Sequence, residues 1–153
     1  MLDDLRQRTR AHLPTFDFTV VDPVPFTPFT TPLREARVAL ISTAGLHLPD
    51  QPPFDRQSHA GDSSYRAIPH DADVTKLRPW WDTESTQLQS QDVNCALPLE
   101  LLRESDAIGS LAPTHYSFSG SIPDPRPLVE TYVPEVADAM QREAVDAVLV
   151  APS

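Results

Sequence analysis

The stretch VDAVLV at residues 145–150 decides the fold class of this chain. It is an apolar run with one acidic residue near its start, a pattern that predicts a strand buried inside a parallel sheet. The run ARVALIST at residues 36–43 predicts a second such strand. Residues 134–144 (PEVADAMQREA) place their apolar residues on one helical face, with a proline in the first turn. A strand, a helix and a strand in this order predict an α/β fold with parallel strands.

We predict a three-layer α/β arrangement with a mostly parallel sheet, in which residues 38–42 and 147–150 are parallel strands. No helix follows the second strand in this sequence, so we expect the sheet to be incomplete at the C-terminus. Short helices or strands are predicted at residues 99–103, 108–111 and 115–118. The α/β domain is predicted to span residues 34–153.

Residues 1–33 are predicted to be a separate N-terminal region. A helix is predicted at residues 3–13, and residues 15–32 alternate four prolines with four phenylalanines. Because proline lacks an amide donor and resists helix, this segment is predicted to be an extended Pro-rich arm. The phenylalanines indicate an arm that packs on its own domain, which we favour, or one that is reserved for a partner.

The composition predicts an acidic, cytoplasmic domain. The 153-residue chain carries a net charge of −10 and no basic cluster, which argues against nucleic acid and anionic membranes as partners. It has no apolar run of about 18 residues, as a membrane-spanning helix needs, and no apolar core of a secretory signal at its N-terminus. Cys95 is the only cysteine, which excludes an internal disulfide and a Cys-x-x-Cys pair.

Three polar segments are candidate functional sites on the basis of their residue types alone. Residues 46–75 show little periodicity and carry scattered His and Asp residues, which are compatible with a metal-dependent hydrolase, although no compact metal-ligand motif occurs. The turn GDSSYR at 61–66 offers Arg66 either to a substrate carboxylate or to a structural pair with Asp62. The segment GSLAPTHYSFSG at 109–120 offers His115 for proton transfer or as a structural residue. We favour the structural alternative for each segment, and we predict no metal ion.

Several of these segments resemble one protein family when they are taken together. The segments, in order, are RVALISTAGLHLPDQPPFD, GDSSYRAIP, ALPLELLRE, AIGSLAPTHYSFSG and VDAVLVAP. They resemble the selenoprotein B family of glycine, sarcosine, betaine and D-proline reductases. The resemblance covers residues 34–153, and AIGSLAPTHYSFSG is its most specific part. The chain departs from the family at Trp80 and Trp81, where the family tends to carry His and Tyr.

The resemblance implies reductive cleavage of a C–N bond, in which a selenolate or thiolate attacks the substrate and a second thiol resolves the adduct. In the family, the strand resembling VDAVLVAP is followed at once by a Cys-x-x-Cys or selenocysteine-x-x-Cys motif, which this sequence lacks. Selenocysteine is encoded by UGA. We therefore expect the chain to be the N-terminal part of a longer protein, ended at that codon and inactive as it stands.

The resemblance also suggests site residues and partners. We predict His115 as the catalytic residue that delivers a proton to the departing nitrogen, and Arg66 as the residue that holds the substrate carboxylate. The other predicted substrate-binding residues are Asp62, Tyr65, Gly45, His47 and Tyr116. No cofactor is predicted. The expected partners are a small amino-acid-like substrate and other reductase subunits or a thiol reductant protein, with homo-oligomerisation left open. The alternative is a non-catalytic binding or scaffolding module that docks a thiol-bearing subunit.

Overall fold

The computed structural model describes Asp4, Gln7, Arg8, Ala11 and residues 23–80, 91–120 and 122–152. In these residues five strands form one mixed sheet: β1 (Arg37–Ser42), β2 (Tyr65–Pro69), β3 (Ser110–Leu111), β4 (Thr114–Phe118) and β5 (Ala147–Ala151). Two α-helices lie wholly within described residues, α1 (Leu99–Arg103) and α2 (Val133–Arg142). A π-helical turn at Leu128–Tyr132 precedes α2, and single 3-10 turns lie at Val74–Lys76 and Val93–Cys95.

Strand β1 is the centre of the sheet. On one side it pairs in parallel with β5, from Val38↔Ala147 to Ser42↔Ala151. On the other side it pairs in parallel with β3 and then with β4, and β2 adds antiparallel to β4. The predicted parallel strands are therefore confirmed, and they are adjacent. The predicted α/β fold with a mostly parallel, open sheet is confirmed as well.

The sheet carries a hydrophobic cluster on each face because neighbouring residues of β1 point in opposite directions. Leu40 belongs to the cluster that includes Leu46, Ile68, Leu97 and Leu99. Ala39 belongs to the cluster that includes Tyr116, Phe118, Val136 and Met140. We call these sides the α1 face and the α2 face, after the helix that contributes to each cluster.

The connection from α2 to β5 has a local explanation in the sequence. Pro134 lies in the first turn of α2, directly after the π-helical turn, and Arg142 lies in the last turn. Ala144 adopts a left-handed φ of 54° as the chain leaves the helix. The Asp146 carboxylate then accepts a hydrogen bond from the Arg37 amide at 2.8 Å, and the Asp146 amide donates to the Arg37 carbonyl at 2.9 Å. These two bonds align the start of β5 with the start of β1.

The prediction of little regular structure at residues 46–75 is wrong at one place, because β2 lies inside this segment. The pattern of its sequence YRAIP does not predict a strand, because Arg66 interrupts a short apolar run. Arg66 is nevertheless buried, since the rest of the fold satisfies its guanidinium group. The predicted helix at 99–103 is confirmed with the same bounds, and the segments at 108–111 and 115–118 contribute to strands.

The N-terminal region is described only in part. Asp4, Gln7, Arg8 and Ala11 are helical, and the other residues of the predicted helix lie outside the described residues. In the arm, residues 23–30 have no helix or strand and are exposed, and the Phe26 side chain is 85% exposed. The arm is therefore not packed on its own domain at Phe26. None of the helices that the structure describes is long and apolar enough to cross a membrane.

Candidate functional site

A cleft of about 870 Å³ lies beside the segment that follows the carboxyl end of β1. Ligand sites in open α/β sheets lie beyond this end of the strands, and the volume is typical of small-molecule sites. The cleft is lined by His47, Pro53, Phe54, Asp55, Arg56, Gln57, Arg78 and Pro79.

Backbone pairing brings two distant segments together at this cleft. The His47 amide donates to the Arg78 carbonyl at 3.0 Å, and the Arg78 amide donates to the His47 carbonyl at 2.9 Å. Just before His47 the chain turns at Gly45, which has a left-handed φ of 63°. A Cβ at Gly45 would lie 2.3 Å from the Trp80 Cβ. Glycine is therefore required for the turn and for the close approach of Trp80.

Two arginines, Arg56 and Arg78, are among the residues that line the cleft of a chain whose net charge is −10. Arg78 is held in place because its Nη1 donates to the carbonyl oxygens of Thr75 and Leu77, each at 3.0 Å. Arg56 forms no hydrogen bond or ion pair with another described residue. Arginine presents paired donors that match a carboxylate. Two arginines at one cleft make it a candidate site for a small anion.

His47 adds an uncharged polar group to the same wall. Burial chiefly lowers the pKa of His47 below its usual 6.5, and the nearby charges of Arg66 and Arg56 lower it further. The imidazole is therefore neutral at pH 7. Its Nδ1 is buried and has no hydrogen-bond partner in the part of the chain that the structure describes.

Arg66, predicted to hold a substrate carboxylate, forms contacts with the wall of the cleft. Its guanidinium group donates to the carbonyl oxygens of Pro52 at 2.6 Å, Pro53 at 3.1 Å and Tyr65 at 2.9 Å, and to Ser64 Oγ at 2.9 Å. The same group lies 4.0 Å from the centre of the Phe54 ring and 3.7 Å from Asp62 Oδ2. These contacts attach the loop at 52–54 to β2. The substrate-binding role of Arg66 stays a prediction.

His115, predicted to be catalytic, is fully buried in β4. Its Nδ1 accepts a hydrogen bond from the Leu40 amide at 3.0 Å, so the imidazole satisfies a backbone donor of β1. Burial is the main reason that the pKa of His115 falls to about 4. His115 does not line the cleft. Its catalytic role stays a prediction. The prediction that His115 lies near Ser153 also stays a prediction, because Ser153 lies outside the described residues.

The structure does not bring all the predicted substrate-binding residues together. Tyr65 and Tyr116 pack with ring centres 5.5 Å apart in the cluster on the α2 face. The Asp62 carboxylate accepts from the amides of Asp55 and Ser64 and lines a separate recess of about 300 Å³. Only His47 of the predicted set lines the 870 Å³ cleft. The roles proposed for the others stay predictions.

Sequence reasoning missed Arg56 and Arg78 as site residues. Neither belongs to a recognisable motif, and their common location depends on the backbone pairing of His47 with Arg78. The available signal was the position of Arg56 in the segment that follows a buried strand, where ligand-binding loops concentrate. In the described parts of the chain, no group of three or more His, Cys, Asp or Glu residues could hold a metal ion.

Comparison with known proteins adds one relationship to this geometry. No protein-family model and no solved structure matches the chain. It is 33% identical over 134 residues to the D-proline reductase subunit gamma of Acetoanaerobium sticklandii. This chain is similar to a proline reductase subunit. The alignment covers 86% of this chain and 54% of the relative, so the chain spans about half of the relative's length. The similarity relates this chain in sequence to about half of that subunit.

Proposed function

We propose that this chain is a component of a D-proline reductase-type oxidoreductase of the selenoprotein B kind, and that it binds a small amino-acid-like substrate for reductive C–N cleavage. The observation that carries the proposal is the cleft beyond β1, where Arg56, Arg78 and His47 line one cavity of an acidic chain. The similarity to D-proline reductase subunit gamma supports the reaction class and D-proline as the first substrate to test.

The lining residues suit the two charges of an amino-acid zwitterion. In our proposal the guanidinium groups of Arg56 and Arg78 donate paired hydrogen bonds to the substrate carboxylate. The carboxylate of Asp55, which also lines the cleft, accepts from the substrate ammonium. Phe54 and the prolines of the wall contact the apolar part of the substrate.

The proposed chemistry needs a nucleophile and a reductant. A thiolate or selenolate attacks the substrate carbon, and the C–N bond breaks with its electron pair on nitrogen, which takes up a proton. A second thiolate then attacks the sulfur or selenium, which forms a disulfide or selenenylsulfide and leaves the carbon to take up a second proton. Cys95 is exposed at Val93–Cys95 and does not line the cleft. We therefore propose that the nucleophile comes from outside residues 1–153.

The test of the proposed site is substrate binding, which needs no turnover. Isothermal titration of the purified chain should detect D-proline, and Arg56→Gln and Arg78→Gln should each weaken its binding about 10- to 100-fold through loss of a charge-assisted hydrogen bond. Pyrrolidine, which lacks the carboxylate, should bind equally to the wild type and to both variants.

Arg126→Gln is the matched control, because Arg126 is an exposed arginine paired with Asp124 away from the cleft. It should bind D-proline like the wild type. The circular dichroism spectrum of Arg78→Gln should be unchanged, which separates lost binding from lost folding. Failure of the wild type to bind D-proline, or wild-type affinity in both cleft variants, would overturn the proposed site.

A further inference from the structure

The outer edge of β5 has no strand beside it in the part of the chain that the structure describes. Its central residues are apolar and exposed: Val148 is 41% exposed, Leu149 is 45% exposed and Val150 is 53% exposed. The neighbouring strand β1 is covered, since Val38 is 4% exposed and both Ala39 and Leu40 are 0% exposed. The central side chains of β1 are therefore buried, whereas those of the adjacent strand β5 are exposed.

On both faces, the side chains of β5 are only partly covered by the residues that the structure describes. Val148 and Val150 are aligned with Ala39 and Ile41 and share the α2 face, whereas Leu149 is aligned with Leu40 and shares the α1 face. Parallel strands normally have apolar residues on both sides because both sides are buried. The residues of β5 therefore have the composition of an interior strand at an exposed position.

The edge itself has none of the features that prevent strand pairing. Natural edge strands carry charged side chains, prolines or bulges that keep other strands away. The residues of β5 are alanine, valine and leucine only. The nearest charged residue, Asp146, is bonded to the Arg37 amide of β1. Among the described residues, no strand pairs with the backbone donors and acceptors on the outer side of β5.

We propose that the outer edge of β5 docks a further β-strand, carried by an α/β polypeptide that also covers both faces of β5. The occupant is the reductase polypeptide that corresponds to the part of D-proline reductase subunit gamma outside the alignment, which covers 54% of that relative. This identification of the partner rests on the proposed function.

A second copy of this chain fits the surface less well. Pairing of two β5 edges would satisfy the backbone groups, but each copy would bring a strand whose own faces are uncovered. Val148, Leu149 and Val150 would stay exposed to water. Each copy also carries a net charge of −10, which opposes self-association. A partner that brings its own covering helices would bury these three side chains.

Docking at this edge would bring the partner close to the proposed substrate cleft. At its carboxyl end β5 is attached to the cleft segment, because the Thr43 amide donates to the Ala151 carbonyl at 3.3 Å. The chain then continues from Thr43 to His47 at the cleft. A partner strand parallel to β5 would end at the same edge of the sheet, where the following loop can supply the thiolate or selenolate to the bound substrate.

The experiment is co-expression of this chain, tagged, with the unaligned part of the Acetoanaerobium sticklandii subunit, followed by light scattering and hydrogen exchange. We expect a one-to-one complex in which the amides of residues 147–151 gain protection. Val148→Lys and Val150→Lys should each weaken the complex by about 10- to 100-fold, because each leaves an unpaired charge in a buried interface. Val129→Lys is the matched control, since Val129 is 63% exposed away from β5, and it should leave the complex unchanged.

The circular dichroism spectrum of the unaligned part first establishes that it is folded. The proposal is then overturned if no complex forms, if residues 147–151 gain no protection, or if Val148→Lys and Val150→Lys bind like the wild type. A homodimer of this chain that Val148→Lys abolishes would also overturn it. D-proline titration separates this proposal from the proposed function. Val148→Lys should lose the complex and keep the D-proline affinity of the isolated chain, whereas Arg78→Gln should lose D-proline binding and keep the complex.

Discussion

Replacement of Gly45 by alanine is expected to lower the free energy of unfolding by about 2–5 kcal/mol, as expected for backbone strain combined with overpacking. The left-handed φ of 63° at Gly45 is unfavourable for alanine. The new Cβ would also lie 2.3 Å from the Trp80 Cβ, which belongs to the start of a side chain and cannot rotate away. Urea unfolding followed by circular dichroism measures the loss.

Gly61→Ala is the control for the backbone contribution. Gly61 has a comparable left-handed φ of 81°, so its replacement carries the conformational penalty without the approach to Trp80. The stability that Gly45→Ala loses beyond the loss in Gly61→Ala is then the effect of the close contact with Trp80. Because Gly45 precedes His47 at the cleft, Gly45→Ala should also weaken D-proline binding. Equal stability of Gly45→Ala and the wild type would contradict the described turn.

Replacement of His115 by leucine is expected to lower the free energy of unfolding by about 2–4 kcal/mol at pH 7. The buried Leu40 amide would lose its acceptor, and a buried unsatisfied donor costs about 1–3 kcal/mol, to which the altered packing adds. His115→Asn is the matched variant, because its side-chain oxygen can replace Nδ1 as the acceptor. It should retain more stability than His115→Leu in the same urea titration.

His115 should also make the stability depend on pH in a defined direction. Its pKa falls from 6.5 to about 4 on folding, so between these values the unfolded chain binds more protons than the folded chain. Stability is therefore full above pH 6.5 and decreases as the pH falls toward 4, by on the order of 3 kcal/mol in total. Unfolding titrations across this range measure the slope, and His115→Asn should reduce it. An unchanged slope in His115→Asn would mean that other groups cause the acid sensitivity.

The sequence alone determined the fold class and the main strands. The runs at 36–43 and 145–150 identified β1 and β5, and the intervening helix implied their parallel direction. This inference works because hydrophobic periodicity is a property of neighbouring residues, and because a strand–helix–strand connection has one favoured geometry. The short helix α1 was predicted for the same local reason. Strand β2 was missed, because its stability depends on the partners of Arg66 elsewhere in the chain.

Only the tertiary structure decided which polar residues share a cavity. Arg56 and Arg78 lie in different segments, and they line one cleft because the backbone of His47 pairs with that of Arg78. Tyr65 and Arg66 are neighbours in sequence, yet strand alternation sends Tyr65 to the α2 face while Arg66 contacts the cleft wall. Residue patterns determine local conformation, whereas the composition of a site depends on pairing between distant segments, which no local pattern encodes.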